Sequence, residues 1–172
     1  MNVCIFNHQR TRKSNLRLLK QIAAALLDDL NIEGAELGVH LVAAPEIIRL
    51  NEQFLRHASP TDVIAFDHSG SRRRTLDPGP KTPGPRRQLH GEIFICVDEA
   101  VLQARKFRAS WQSEITRYLV HGVLHLLGHD DSRPAERRKM KRAEDRRLRE
   151  LSRRFSLAHL ARPGKLSQCK NH

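Results

Sequence analysis

The chain has 172 residues, enough for one domain with a sizeable core. No run of about 18 apolar residues occurs, which excludes an apolar membrane-spanning helix, and Met1-Asn-Val-Cys-Ile-Phe is too short for a secretory signal. The net charge of +12 is gathered in two segments: residues 69–90 hold six basic and one acidic residue, residues 132–154 eleven and four, and the remainder balances. Positive charge so collected builds a polyanion-binding surface. Cys4, Cys96 and Cys169 are odd in number and far apart, so neither a disulfide framework nor a cysteine metal knuckle is expected. Idle thiols in a reducing cytoplasm are the simpler reading.

Leu16, Leu19, Ala23, Leu26 and Leu30 recur at helical spacing and predict an amphipathic helix over 14–30. Leu37, Val39, Leu41 and Ala43 alternate, which predicts a strand. Pro45 opens a short helix through about Leu55, proline being suited to a first helical turn. Asp62–Phe66 and Glu92–Val97 are short β-rich runs. Between them, Ser69–His90 contains Pro78, Pro80, Pro83 and Pro85 with little apolar content and reads as a long basic loop. Asp98–Phe107 is predicted helical. Ser110 caps a further helix whose buried stripe is Ile115, Leu119, Val123 and Leu126. A final helix runs from about Ser132 to Leu151 on a thin stripe of Met140, Ala143, Leu148 and Leu151, and residues 155–172 read as a loosely ordered tail. The expected domain is thus residues 1–151, followed by a basic tail over 152–172.

The chemistry concentrates in His121-Gly-Val-Leu-His125-Leu-Leu-Gly128-His-Asp-Asp131. Two histidines four apart share one helical face, and neutral imidazoles so placed can bind one Zn²⁺. Gly128 lets the backbone leave the helix, so the chain can fold back and bring a third ligand, Asp131, to the ion. Three protein ligands leave one position for water, the catalytic arrangement. His129 could be a ligand, a proton carrier or a surface residue, and Asp130 a proton carrier. Metalloprotease helices carry His-Glu-x-x-His, with glutamate as the base; here that position is Gly122, so a peptidase of that type would lack its base.

His-Gly-x-Leu-His-Leu-Leu-Gly followed by a polar pair resembles the signature of the YbeY family, bacterial endoribonucleases of ribosomal RNA maturation. Leu50-Asn51-Glu52 leading to Arg56, then Pro60-Thr61-Asp62-Val63-Ile64-Ala65-Phe66, and Gly91-Glu92-Ile93-Phe94-Ile95-Cys96 agree with the same family in order and spacing. The chain departs from the family at Asp131, where a third histidine is usual, and at His57-Ala58-Ser59, where a Lys-Asp pair commonly follows the arginine. Its segment between the two strands is also longer and more basic.

The resemblance implies an α/β (α+β) fold, a small mixed sheet of about four strands packed by helices, zincin-like, with the metal site at a helix end. It implies a single-strand-specific, zinc-dependent endoribonuclease acting on ribosomal RNA near the small-subunit 3′ end, possessing Arg56 as its functional arginine. A guanidinium there would grip a phosphate and stabilise charge growing on it. RNA cleavage tolerates the missing glutamate, because the substrate's 2′-hydroxyl can be the nucleophile. Two alternatives stand beside this: a zinc hydrolase of peptide or amide bonds, and a non-catalytic ribosome-assembly factor with a structural metal. His57, His68 and His90 are expected at the surface.

Overall fold

The computed structural model describes residues 1–55, 61–69 and 87–161. Strand β1 (Asn2–Asn7) leads through helix α1 (Leu16–Asp29) to β2 (Ile32–Val42), then α2 (Ala44–Leu50) and a π-helical turn over Asn51–Leu55. Strands β3 (Val63–Asp67) and β4 (Arg87–Cys96) follow, then α3 (Val97–Phe107), α4 (Trp111–Leu126), α5 (Pro134–Arg154) and a 3₁₀ turn at Leu157–Ala161. The sheet order is β1-β2-β4-β3, with β1, β2 and β4 parallel and β3 antiparallel to β4. This is the mixed sheet of about four strands packed by helices that the family resemblance implies, three of its strands being those read from the sequence pattern.

The fourth strand is the N-terminal segment, which the sequence reading took only as too short for a signal. Val3 and Ile5 turn inward and Asn2, Cys4 and Phe6 outward, the alternation of a strand with one covered face. Three further boundaries differ from expectation. β2 begins at Ile32 rather than Leu37, crossing an irregularity at Ile32/Gly34 that blurs its period. β4 begins at Arg87, inside the stretch read as loop, because Leu89 is buried and the strand pairs with β2 along its whole length. The start of the supposed tail is also ordered: Leu160 is 2% exposed, and its carbonyl accepts a hydrogen bond from the Asn15 N–H at 2.8 Å. Residues 70–86 and 162–172 lie outside the described residues, as does Arg56.

Helices α1 and α4 bury their apolar stripes against one sheet face, where Leu19, Leu26, Val39, Ile93, Leu119 and Val123 form the main core, and α5 packs on α4 and α1. A smaller cluster on the other face gathers Ile47 of α2 with Val42, Ile64 and Cys96. Asn15 and Ser110 cap α1 and α4, their side chains accepting the N–H of Leu18 and Ser113 at 3.1 Å each.

Helix α4 is the element that positions the site, and it lies unusually close to the sheet. A Cβ at Gly122 would stand 2.8 Å from Cγ2 of the fully buried Ile93 on β4. Position 122 therefore has no room for any side chain, and the absent glutamate base is a consequence of packing. The residues on either side, His121 and Val123, straddle that contact, so the imidazole emerges toward α5.

Candidate metal centre

Helix α4 ends in a Schellman turn. Gly128 takes φ +88°, its N–H donates to the His125 carbonyl at 2.8 Å, and the His129 N–H donates to the Leu124 carbonyl at 3.0 Å. The turn reverses the chain and brings Asp131 back over the last helical turn. His121, His125 and Asp131 thereby offer ligand atoms all within 4.8 Å of one another. The Asp131 Oδ2 lies 3.9 Å from His121 Nε2 and 3.8 Å from His125 Nε2.

The ring nitrogens facing away from this group are already committed. His121 Nδ1 lies 3.0 Å from the Glu144 carboxylate, and His125 Nδ1 lies 3.0 Å from the His129 carbonyl oxygen. Both partners accept hydrogen bonds, so in the neutral rings each Nδ1 carries the hydrogen and each Nε2 presents a lone pair. Those two Nε2 atoms face each other at 2.9 Å. Two lone pairs at that distance repel unless a cation or a proton lies between them. With a carboxylate beside them, the donor set fits a divalent ion of the zinc type.

Without a metal the charges favour a proton in that gap, held on His121 and shared with the His125 Nε2, which a divalent ion would displace. Burial works against protonation of His121, but the hydrogen bond and charge of Glu144, joined by Asp62 and Asp131, outweigh it and raise its pKa. His125 is lowered, by burial and by the neighbouring His121. Glu144 is 8% exposed; burial pushes its pKa up, yet hydrogen bonds from His121 and Arg117 prevail and hold it below the usual range. Arg117 Nη1 donates to Glu144 and Asp145 at 2.7 Å each, so Glu144 is fixed from both sides.

Glu144 and Arg117 are the members that the sequence reading missed. The signal was present in α5: Glu144 sits between Met140 and Leu148 at the spacing of a buried stripe, where a charged residue calls for a partner. Of the other candidates, His129 contributes its backbone carbonyl and has an exposed side chain. Asp130 turns its carboxylate to Ser132, accepting from the backbone N–H at 2.9 Å and the hydroxyl at 2.6 Å, which lowers its pKa. Neither side chain joins the three-residue group. His68 and His90 pair with Glu92 and Glu36 at 3.2 and 3.5 Å on the opposite face of the sheet, and both are exposed.

Residues 4–152 match the family model described as Endoribonuclease YbeY. This chain belongs to the YbeY family. A protein of that name from Myxococcus xanthus is 40% identical over 134 residues, covering 78% of this chain and 42% of the relative. The match thus spans somewhat less than half of that longer protein. One from Anaeromyxobacter sp. is 36% identical, covering 84% of this chain and 69% of its own, and one from Nocardioides sp. is 33% identical, covering 78% and 87%. A solution structure from Thermotoga maritima is similar in fold, with a TM-score of 0.59 at 24% identity, covering 96% of this chain and all of that one. In this YbeY-family chain no helix among the described residues is long and apolar enough to cross a membrane.

Proposed function

We propose that this protein is a single-strand-specific, zinc-dependent endoribonuclease of ribosomal RNA maturation, acting in the cytoplasm near the small-subunit 3′ end. The observation that carries the reading is the convergence of the facing His121 and His125 Nε2 atoms with the Asp131 carboxylate, the three-residue ligand group among the described residues. Membership of the family, whose curated relatives are named endoribonucleases, supplies the reaction class. The strand preference, the 3′-end substrate and any contact with the small subunit rest on the resemblance alone.

His121, His125 and Asp131 would hold the ion. Zinc at such a site polarises a phosphoryl oxygen or activates a water. Glu144 locks the tautomer and orientation of His121, the His129 carbonyl does the same for His125, and Arg117 keeps Glu144 ionised. Arg56 would pair with the phosphate at the cleaved bond through its guanidinium fork, a role it takes from the family resemblance. His129 and Asp130 remain proposed proton carriers, His129 with the freer side chain.

The basic helix α5 supports a polyanionic substrate, since Arg138, Lys141, Arg142 and Arg146 are all exposed on it. A peptide hydrolase is disfavoured by the same geometry. Gly122 leaves no space for a base, and Glu144 is occupied by Arg117 and His121. The hydrolase domain we propose covers residues 1–151, with Leu157–Ala161 packed onto it.

The test is elemental analysis of the purified protein together with cleavage of single-stranded and duplex RNA, before and after chelation. One zinc per chain and single-strand cleavage lost with the metal are expected. Thermal melts should show a metal-free protein that is still folded, which separates a catalytic ion from a structural one. Undiminished cleavage by demonstrably metal-free protein would overturn the reading.

A further inference from the structure

His121 and Asp131 open onto a cleft of about 630 Å³ whose other walls include Phe107, Arg137, Met140 and Lys141. Phe107 is anomalous there. It is 66% exposed, although the neighbouring apolar side chain Met140 is buried. The exposure is imposed by the backbone: α3 ends at Phe107, Arg108 turns in the left-handed region at φ 53°, and the Ala109 N–H closes onto the Ala104 carbonyl at 2.9 Å. Ser110 then starts α4 at once. With its backbone anchored between two helices, the ring stands at the cleft and its burial is forgone.

The cleft sorts its charges. Its carboxylates Glu144 and Asp145 are bound to Arg117 at 2.7 Å, and Glu114 lies 4.0 Å from the same guanidinium. Its remaining cations, Arg137 and Lys141, are both exposed. Lys141 is exposed and takes part in no ion pair among the described residues. Arg137 spends only its Nε, donating to the Asp131 backbone carbonyl at 3.0 Å. The Lys106 ammonium lies 5.3 Å from the centroid of the Phe107 ring, so the ring offers a base its other face or the place of that mobile side chain. An exposed aromatic ring together with two available cations matches a ligand that has both a flat π-surface and an anionic group. Nucleotides of a single strand have both, whereas inorganic phosphate lacks the first and duplex RNA hides it.

We propose that Phe107, Lys141 and Arg137 form a nucleotide subsite beside the metal-binding triad, Phe107 stacking on one base of single-stranded RNA while the two cations pair with a neighbouring phosphate. This rests on the endoribonuclease reading and deepens it, because it states how an unpaired strand is held next to the centre. Duplex RNA cannot offer a base to Phe107, so the subsite also supplies a physical origin for strand preference.

The test uses the full chain and a short single-stranded RNA carrying a fluorescent base analogue that is quenched by ring stacking. Wild type should bind and quench. Phe107→Ala should bind roughly 5- to 140-fold more weakly, the range for loss of one base–aromatic stack, with quenching lost, and Phe107→Trp should restore both. Lys141→Gln should make the slope of log K against log salt shallower by about 0.7. Zinc content and thermal midpoint should stay at wild-type values in all three, since none is a ligand or core residue. Wild-type affinity and quenching in Phe107→Ala would overturn the subsite while leaving the endoribonuclease reading intact. Failure of the wild type to bind or cleave single-stranded RNA would overturn both.

Discussion

His121 and His125 present their Nε2 atoms to each other at 2.9 Å, on rings whose Nδ1 hydrogens are already given to Glu144 and to the His129 carbonyl. In the proposed site each ring is one of three protein ligands found among the described residues. His121→Ala and His125→Ala should each lose stoichiometric zinc while the protein stays folded, as read by elemental analysis beside circular dichroism. Asp131→Ala should bind zinc more weakly, and Asp131→His should bind as tightly as wild type or tighter. If Asp131→Ala keeps its metal and His129→Ala loses it, the third ligand is His129.

Glu144 would act on a metal held at the candidate site through its hydrogen bond with His121. Glu144→Gln keeps the volume and an acceptor oxygen but removes the charge that fixes the ring's tautomer. Zinc affinity should fall about 10- to 100-fold, the usual consequence of losing a partner behind a metal-bound histidine. Competition with a chromogenic chelator measures this directly. The metal-free melting temperature separates it from a general loss of structure, because Arg117 retains Asp145 as a partner.

How far the sequence foretold this centre depends on where the information lies. His121, His125 and Asp131 were legible because one helical turn and one glycine turn bring them together, and both are local. Glu144 was not, since its contact with His121 spans 23 residues of sequence and depends on how α5 packs on α4. The same distinction divides the fold. α4 was delimited by its serine cap and its stripe, whereas β1 is an edge strand of six residues whose partner, β2, lies beyond α1. Such a short apolar run is ambiguous until the sheet is assembled. The empty position 122 was visible as a missing base, but its cause, the Ile93 side chain pressed against the helix, could only be seen in the packing.

That packing makes Gly122→Ala informative. The added methyl would meet Ile93 Cγ2 at 2.8 Å and Cδ1 at 3.0 Å, and Ile93 is fully buried and β-branched. Overpacking of this kind costs about 1–3 kcal/mol, against a gain of about 0.8–1 kcal/mol in helix propensity. The net effect should be destabilisation by roughly 1 kcal/mol in chemical denaturation. In an Ile93→Ala background the clash is gone, and Gly122→Ala should become neutral or stabilising. An equal loss in both backgrounds would show that the two residues are not coupled.

Arg56→Lys should impair RNA cleavage far more than it affects stability, because an ammonium cannot reproduce a bidentate phosphate contact. The loss in the single-turnover rate could reach about 2.7–4 kcal/mol, the range for removing one donor that stabilises transition-state charge. Wild-type rates in this variant, with a wild-type thermal melt, would remove Arg56 from the centre.

The basic face of α5 yields a prediction about the RNA path. Arg138, Arg142 and Arg146 are four residues apart in succession, exposed, and in no ion pair among the described residues. If they track the strand, each neutralised phosphate releases condensed counterions, and the slope of log K against log salt is about −0.7 per contact for single strands. Replacing all three with glutamine should make that slope shallower by up to roughly 2 units. Zinc content should not change, since α5 meets the metal centre through Glu144 on a different face. The segment 69–90 is expected to behave alike, with Arg72, Arg73 and Arg74 as the residues to neutralise. A purely solubilising role for α5 predicts an unchanged slope, so titrations at several salt concentrations on wild type and triple variant decide whether the helix touches RNA.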